Sequence, residues 1–116
     1  MNRVEELLSR GVKIAAPASV EIGAEVDPAR IAPGVVIHAG CKVFGAETSI
    51  GPGCVLGREA PATVDDCQLG ANVALKGGSF AGAVFLDGAA MGGGAQVRPG
   101  TILEEGAEMA HAVGLK

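Results

Sequence analysis

The side chains in this 116-residue sequence best able to do chemistry are three thiols and two imidazoles. The thiols are Cys41, Cys54 and Cys67, each thirteen residues after the last. Their number is odd and none forms a Cys-x-x-Cys pair. Neither a zinc site nor a disulfide framework is therefore expected. A zinc ion held by imidazoles alone takes three of them, and only His38 and His111 are present. Both read as surface or interface side chains, and no metal site is expected.

The charge balance narrows the partners. The net charge is −4 and the pI near 5.0. Nucleic-acid binding shows as a basic stripe, which is missing. No apolar run reaches the roughly eighteen residues of a membrane span. The first residues, MNRVEELLSRG, carry acidic groups and lack the apolar core of a signal peptide. A cytoplasmic protein that binds neither nucleic acid nor membrane is expected.

The thirteen-residue spacing of the thiols leads to the elements that must position them. Hydrophobic residues make up 48% of the sequence, yet there is no Trp or Tyr and only three Phe beside nineteen Gly. Large aromatic rings fill most globular cores; this composition points to a narrow, regular interior. Phe85, Met91, Val97, Leu103, Met109 and Leu115 follow one another at intervals of six. Two residues before each stands a small or β-branched residue: Ala83, Ala89, Ala95, Thr101, Ala107 and Val113. Carried backwards, the large positions are Val20, Val26, Ile31, Ile37, Val43, Ile50, Leu56, Val64, Leu69 and Leu75. Their small partners are Ala18, Ala24, Ala29, Val35, Cys41, Thr48, Cys54, Ala62, Cys67 and Val73.

A period of six is neither a helix nor a plain strand alternation. It describes a triangular coil in which each hexad makes a short strand and a turn. Large and small residues both point inward, as residues two apart on a strand do. Each coil buries its edges by stacking on the next, as in solenoids. The sequence thus predicts an all-β chain, a left-handed parallel β-helix of hexapeptide repeats with a short N-terminal helix. The three cysteines sit at small inward positions and read as buried hydrophobes.

The phase shifts mark the expected loops, around 45–49, 57–63 and 76–82. Lys76-Gly77-Gly78-Ser79-Phe80 is the longest break and the candidate for a protrusion. Ahead of the first coil, Val4, Leu7 and Leu8 have amphipathic spacing, and Gly11 is a helix stop. Residues 1–11 are therefore expected to form a capping or linker helix. Residues 12–116 form the β-helix, which is expected to continue beyond 116 in the parent protein.

Several segments carry a resemblance. The run Gly11-Val12-Lys13-Ile14, then Pro17-Ala18-Ser19-Val20-Glu21-Ile22-Gly23, is followed by Ile37-His38, by Ser49-Ile50-Gly51-Pro52 and by Val97-Arg98-Pro99-Gly100-Thr101. Over nearly its whole length the chain resembles hexapeptide-repeat transferases. Within them it resembles the N-terminal part of the acetyltransferase domain of the bifunctional glucosamine-1-phosphate acetyltransferase / N-acetylglucosamine-1-phosphate uridyltransferase family. The Arg-Pro-Gly segment is the most specific part of the match; the hexads alone are shared widely.

The resemblance implies a sugar-phosphate N-acetyltransferase-related protein of UDP-N-acetylglucosamine synthesis. It implies acetyl-CoA as cofactor of the complete domain and a homotrimer with its sites between subunits. It implies that Arg98 and, eighteen residues later, Lys116 contact the phosphate of a sugar phosphate or nucleotide sugar. Three hexads make one turn, so the two cations would stack one coil apart, and Arg offers a forked donor to phosphate. The plainer reading of each is a solvated surface charge. Two departures bear on activity. The family's pyrophosphorylase domain has no counterpart here. Its catalytic His, and its Tyr, Asn and coenzyme contacts, fall beyond Lys116, and His111 is not in the catalytic place. The Glu that precedes the family's Lys is replaced by Gly114. This chain alone is therefore expected to hold no catalytic residue. The alternative function is a non-catalytic trimeric scaffold or sugar-nucleotide-binding module. A γ-type carbonic anhydrase shares the fold but requires a third histidine.

Overall fold

Strands of two to four residues are too short to be stable alone, so the architecture is set by how they stack. The computed structural model describes residues 2–109. Three parallel sheets form the sides of a prism. Side A contains β1 (Lys13–Ile14), β3 (Val36–Ile37), β6 (Val55–Leu56), β9 (Ala74–Leu75), β12 (Ala90–Met91) and β15 (Glu108–Met109). Side B contains β2 (Glu21–Ile22), β4 (Lys42–Phe44), β7 (Ala62–Asp65), β10 (Gly78–Ala81) and β13 (Ala95–Val97). Side C contains β5 (Ser49–Ile50), β8 (Gln68–Leu69), β11 (Val84–Phe85) and β14 (Ile102–Leu103), and Ile31 extends it by a parallel bridge to Ile50. The chain visits the sides in turn and climbs one strand per circuit. The fold is a left-handed parallel β-helix with one short helix at its base.

The large position of the repeat faces the axis from Val20 to Leu103, and every one of those residues is buried. The small position obeys the rule from Val35 to Thr101. Ala18, Ala24 and Ala29 depart from it and are exposed. Ala18 and Ala29 lie in 3₁₀ turns, Pro17–Ser19 and Pro28–Arg30. Such a turn follows a three-residue period, not the two-residue alternation of a strand, so the side chain two before the aliphatic residue swings outward. Val113 and Leu115 lie outside the described residues.

The largest correction concerns the break at 76–82, which does not protrude. Gly78–Ala81 is the strand β10, paired in register with β7 below and β13 above. Phe80 takes the large inward position and is 1% exposed. The ten residues from Leu75 to Phe85 are thus two shortened repeats, with Phe80 as the large residue between them. Glycine makes the shortening possible at Gly78, where φ is +115° and a β-carbon would fall on the Ala95 carbonyl oxygen. The break at 57–63 is an exposed bend over 58–60, tied to the next coil by the Glu59 and Ala60 N–H groups on the Lys76 carbonyl at 2.9 and 3.0 Å, and the chain returns as β7. Glu59 from this bend accepts a hydrogen bond from the Gly93 N–H at 3.1 Å.

The N-terminal helix α1 spans Arg3–Ser9. Asn2 and Glu5 form a reciprocal capping box, which satisfies two of the N–H groups a helix start leaves open. Leu7 is fully buried and Val4 packs beside it. Leu8, expected on the same apolar stripe, stays 40% exposed. The Val12 N–H returns to the Leu7 carbonyl at 3.1 Å, so the helix is tied to the first strand.

Candidate functional site

Arg98 follows β13 at the corner where the chain passes from side B to side C. The local sequence builds that corner. The Thr101 N–H closes a turn on the Arg98 carbonyl at 3.3 Å, and the Gly100 N–H bonds the Gly82 carbonyl of the coil beneath at 3.0 Å. Val97 on one side and Thr101 on the other are buried. The backbone on either side of Arg98 is therefore anchored while the residue itself is exposed.

The pairing of Phe80 with Val97 sets Arg98 above Ala81, and Ala81 lies above Asp65. Two coils separate Arg98 from Asp65, about 9–10 Å at the usual strand spacing. Among the described residues no carboxylate lies within ion-pair distance of Arg98. The guanidinium thus keeps its forked donors for a ligand or water. Lys116, the second expected cation, lies outside the described residues, as do His111 and Gly114.

The other candidates separate cleanly. His38 is half-buried on the outer surface of side A, just past β3. Cys41, Cys54 and Cys67 are each fully buried and free of disulfides. They precede β4, β6 and β8, which belong to sides B, A and C, so each thiol stands on a different side. Burial pushes all three thiols up from their ordinary range. Raised, buried thiols make poor nucleophiles, and Cys54 spends its S–H on the Gly70 carbonyl at 3.0 Å. Among the described residues no three His, Cys, Asp or Glu side chains gather as metal ligands. Nor do those residues enclose a pocket. No helix among them is long and apolar enough to cross a membrane.

Sequence reasoning missed the carboxylates that organise corners, Glu25 and Glu59 among them. Glu25 accepts from the Gly45 N–H at 2.7 Å, and Glu59 reaches Gly93 across 34 residues. Each contact joins different coils, so neither leaves a local spacing signal.

No family model matches the chain, and no solved structure does. Curated proteins do. The chain is 36% identical over 116 residues to the bifunctional protein GlmU of Oleidesulfovibrio alaskensis, covering 99% of this chain and 24% of that relative. It is 33% identical over 117 residues to the bifunctional protein GlmU of Thermotoga petrophila, covering 100% of this chain and 25% of the relative. Against the protein of that name from Kineococcus radiotolerans it is 38% identical over 93 residues, 80% of this chain and 18% of the relative. The chain spans about a quarter of the length of the first two. The resemblance is thus matched by named proteins along the whole chain.

Proposed function

We propose that this chain forms the first part of a glucosamine-1-phosphate-type N-acetyltransferase-related β-helix, of the kind used in UDP-N-acetylglucosamine synthesis, acting in the cytoplasm as a homotrimer. Arg98 and Lys116 contact the phosphate of the sugar phosphate. The observation that carries the reading is Arg98 itself. It is an exposed guanidinium on an anchored corner, without an ion-pair partner among the described residues, in a chain similar over its full length to bifunctional GlmU proteins. The coil step supports the pairing of the two cations. Phe85 stacks under Leu103 and Met91 under Met109, both steps of eighteen residues, the same separation as Arg98 to Lys116.

Acetyl-CoA is the acyl donor of the complete domain. The resemblance puts the contacts to it beyond Lys116, and the described residues of one copy enclose no pocket for it. No acyl-transfer step is routed through them. What this segment does is fix a cation where a phosphate can meet it. The same observations favour a second reading, a trimeric scaffold that keeps the Arg98 contact without catalysis. Calorimetric titration of the complete domain with acetyl-CoA separates the two, since a scaffold binds none.

The phosphate contact is tested by titrating the full chain with glucosamine-1-phosphate. A hydrogen bond to a charged group contributes about 1.5–3 kcal/mol, so Arg98→Ala should weaken binding by roughly tenfold or more. Arg98→Lys should recover part of it, because a lysine supplies charge without the fork. Equal affinity in wild type and Arg98→Ala would sink the assignment.

A further inference from the structure

The chain turns five times from side A to side B, over 15–19, 38–40, 57–61, 76–77 and 92–94. Those turns stack into one corner of the prism, and they hold four ionisable side chains: His38, Arg58, Glu59 and Lys76. Three are basic and one is acidic, in a protein whose net charge is −4. Neither Arg58 nor Lys76 is in an ion pair among the described residues.

The one carboxylate at this corner already acts as a ligand. Glu59 stands on the bend whose backbone is pinned to the coil above, where the Gly78 N–H also donates to the Pro61 carbonyl at 3.1 Å. From there its side chain passes the coil of Lys76 and Gly77 and accepts from the Gly93 N–H at 3.1 Å, two coils up. It passes where the corner is two residues long, Lys76-Gly77, against five in the coil beneath. Gly93 does not have a positive φ, so no backbone conformation requires glycine there. Its missing side chain leaves space instead, since a β-carbon would lie 3.0 Å from Glu59 Oε1. Nothing lies within 4 Å of a β-carbon built on Gly94, so the corner is open beside the N–H.

We infer that this corner binds a phosphoryl group, with the Gly93 N–H, Arg58 and Lys76 as its donors and the Glu59 carboxylate as the occupant that the ligand displaces. A carboxylate balances one of the two cations. A phosphoryl group carries more charge and three acceptor oxygens, which suit the forked donors of Arg, the point charge of Lys and a backbone N–H together. Glu59 is exposed and holds the N–H by one oxygen. An exposed contact of this kind contributes little, so displacing it costs little. The site lies on a different corner from Arg98, which stands between sides B and C, and it does not rest on the phosphate contact proposed there.

Nuclear magnetic resonance of the isotope-labelled full chain tests this, with Arg98→Ala in every sample so that the other phosphate contact is silent. Inorganic phosphate is titrated at constant ionic strength and the Gly93 amide is followed. Glu59→Ala should give a saturable Gly93 shift, with a dissociation constant roughly fivefold lower than when Glu59 is present, about what an exposed charge contact is worth. Adding Arg58→Ala and Lys76→Ala should abolish the shift. Asp87→Ala is the control. Asp87 accepts from the Ala71 N–H at 2.9 Å on the corner between sides C and A, where its ionisable neighbours are Glu104 and Glu105, so the freed Ala71 N–H should not respond. Glucosamine-1-phosphate should bind no more tightly than inorganic phosphate, because only the phosphoryl group meets these donors; tighter binding overturns that limit. Should Glu59→Ala fail to fold, Glu59→Gln keeps an acceptor for Gly93 and removes only the charge, and it must still bind phosphate more tightly than the protein with Glu59. No saturable shift in either Glu59 variant overturns the site. A shift that survives the loss of Arg58 and Lys76 overturns their role as donors, and equal affinity with and without Glu59 overturns the displacement.

Discussion

The rings of Phe80 and Phe85 meet edge to face inside the prism, with centroids 5.7 Å apart and planes at 80°. They come from adjacent sides, β10 and β11, and fill the axis at the coil whose circuit is shortest. There the step from Leu75 to Met91 is sixteen residues, against nineteen from Leu56 to Leu75. Removing one ring should therefore be costly. Phe80→Ala is expected to lower the unfolding free energy by about 3–5 kcal/mol. Phe80→Leu, closer in volume, should lower it by much less. Urea denaturation with intact m-values reads both. If Phe80→Ala stays within about 0.5 kcal/mol of wild type, as surface-loop changes do, the buried placement is wrong.

Gly78 allows the close approach of β10 to β13. Alanine there meets two obstacles, the φ of +115° and the carbonyl oxygen of Ala95. Gly94 offers the control: its φ is +78°, but nothing lies within 4 Å of a β-carbon built on it. Gly94→Ala should cost about 1–2 kcal/mol, the usual penalty of the left-handed region. Gly78→Ala should cost clearly more, or prevent folding. Thermal melts of both variants compare them directly, and equal shifts would show that backbone conformation alone matters at Gly78.

These two positions also show what a single sequence makes legible. The coil itself was readable because every hexad repeats one physical requirement, a large and a small residue turned toward one axis. The inward placement of Cys41, Cys54 and Cys67 follows from that rule. Phe80 was not, because two five-residue repeats in succession break the period from which the rule is drawn. Ala18 and Ala29 were misplaced because a 3₁₀ turn and a strand can carry the same apolar spacing. Arg98 was found through the resemblance of its Arg-Pro-Gly segment.

The buried thiols make a prediction about reactivity and alkali. In the folded chain Cys41, Cys54 and Cys67 should resist Ellman's reagent at neutral pH, and all three should react after denaturation. Burial raises each thiol above its ordinary range. The contribution of the neutral thiols to stability is then complete below the unfolded pKa. It is lost as the pH rises from there through the folded value. Alkaline destabilisation should diminish when the thiols are replaced by alanine. Rapid stoichiometric labelling of the native protein would contradict the inward placement.

Glu25 sets the response to acid. Its carboxylate accepts from the Gly45 N–H of the next coil at 2.7 Å, and Gly23 leaves the space it occupies. The Gly45 hydrogen bond, then one from its own backbone N–H, hold this carboxyl below its ordinary range; the desolvation that opposes them is weaker. A carboxyl lowered in the folded state adds stability above its unfolded pKa. That stability fades as the pH falls from the unfolded value through the folded one. Glu25→Gln keeps an acceptor oxygen but loses the charge. Its urea midpoint should lie below wild type at neutral pH and converge on it as acid protonates Glu25 in the wild type. Parallel curves at every pH would mean that the contact is not charge-dependent. A midpoint above wild type at pH 7 would mean that the carboxylate does not brace this corner.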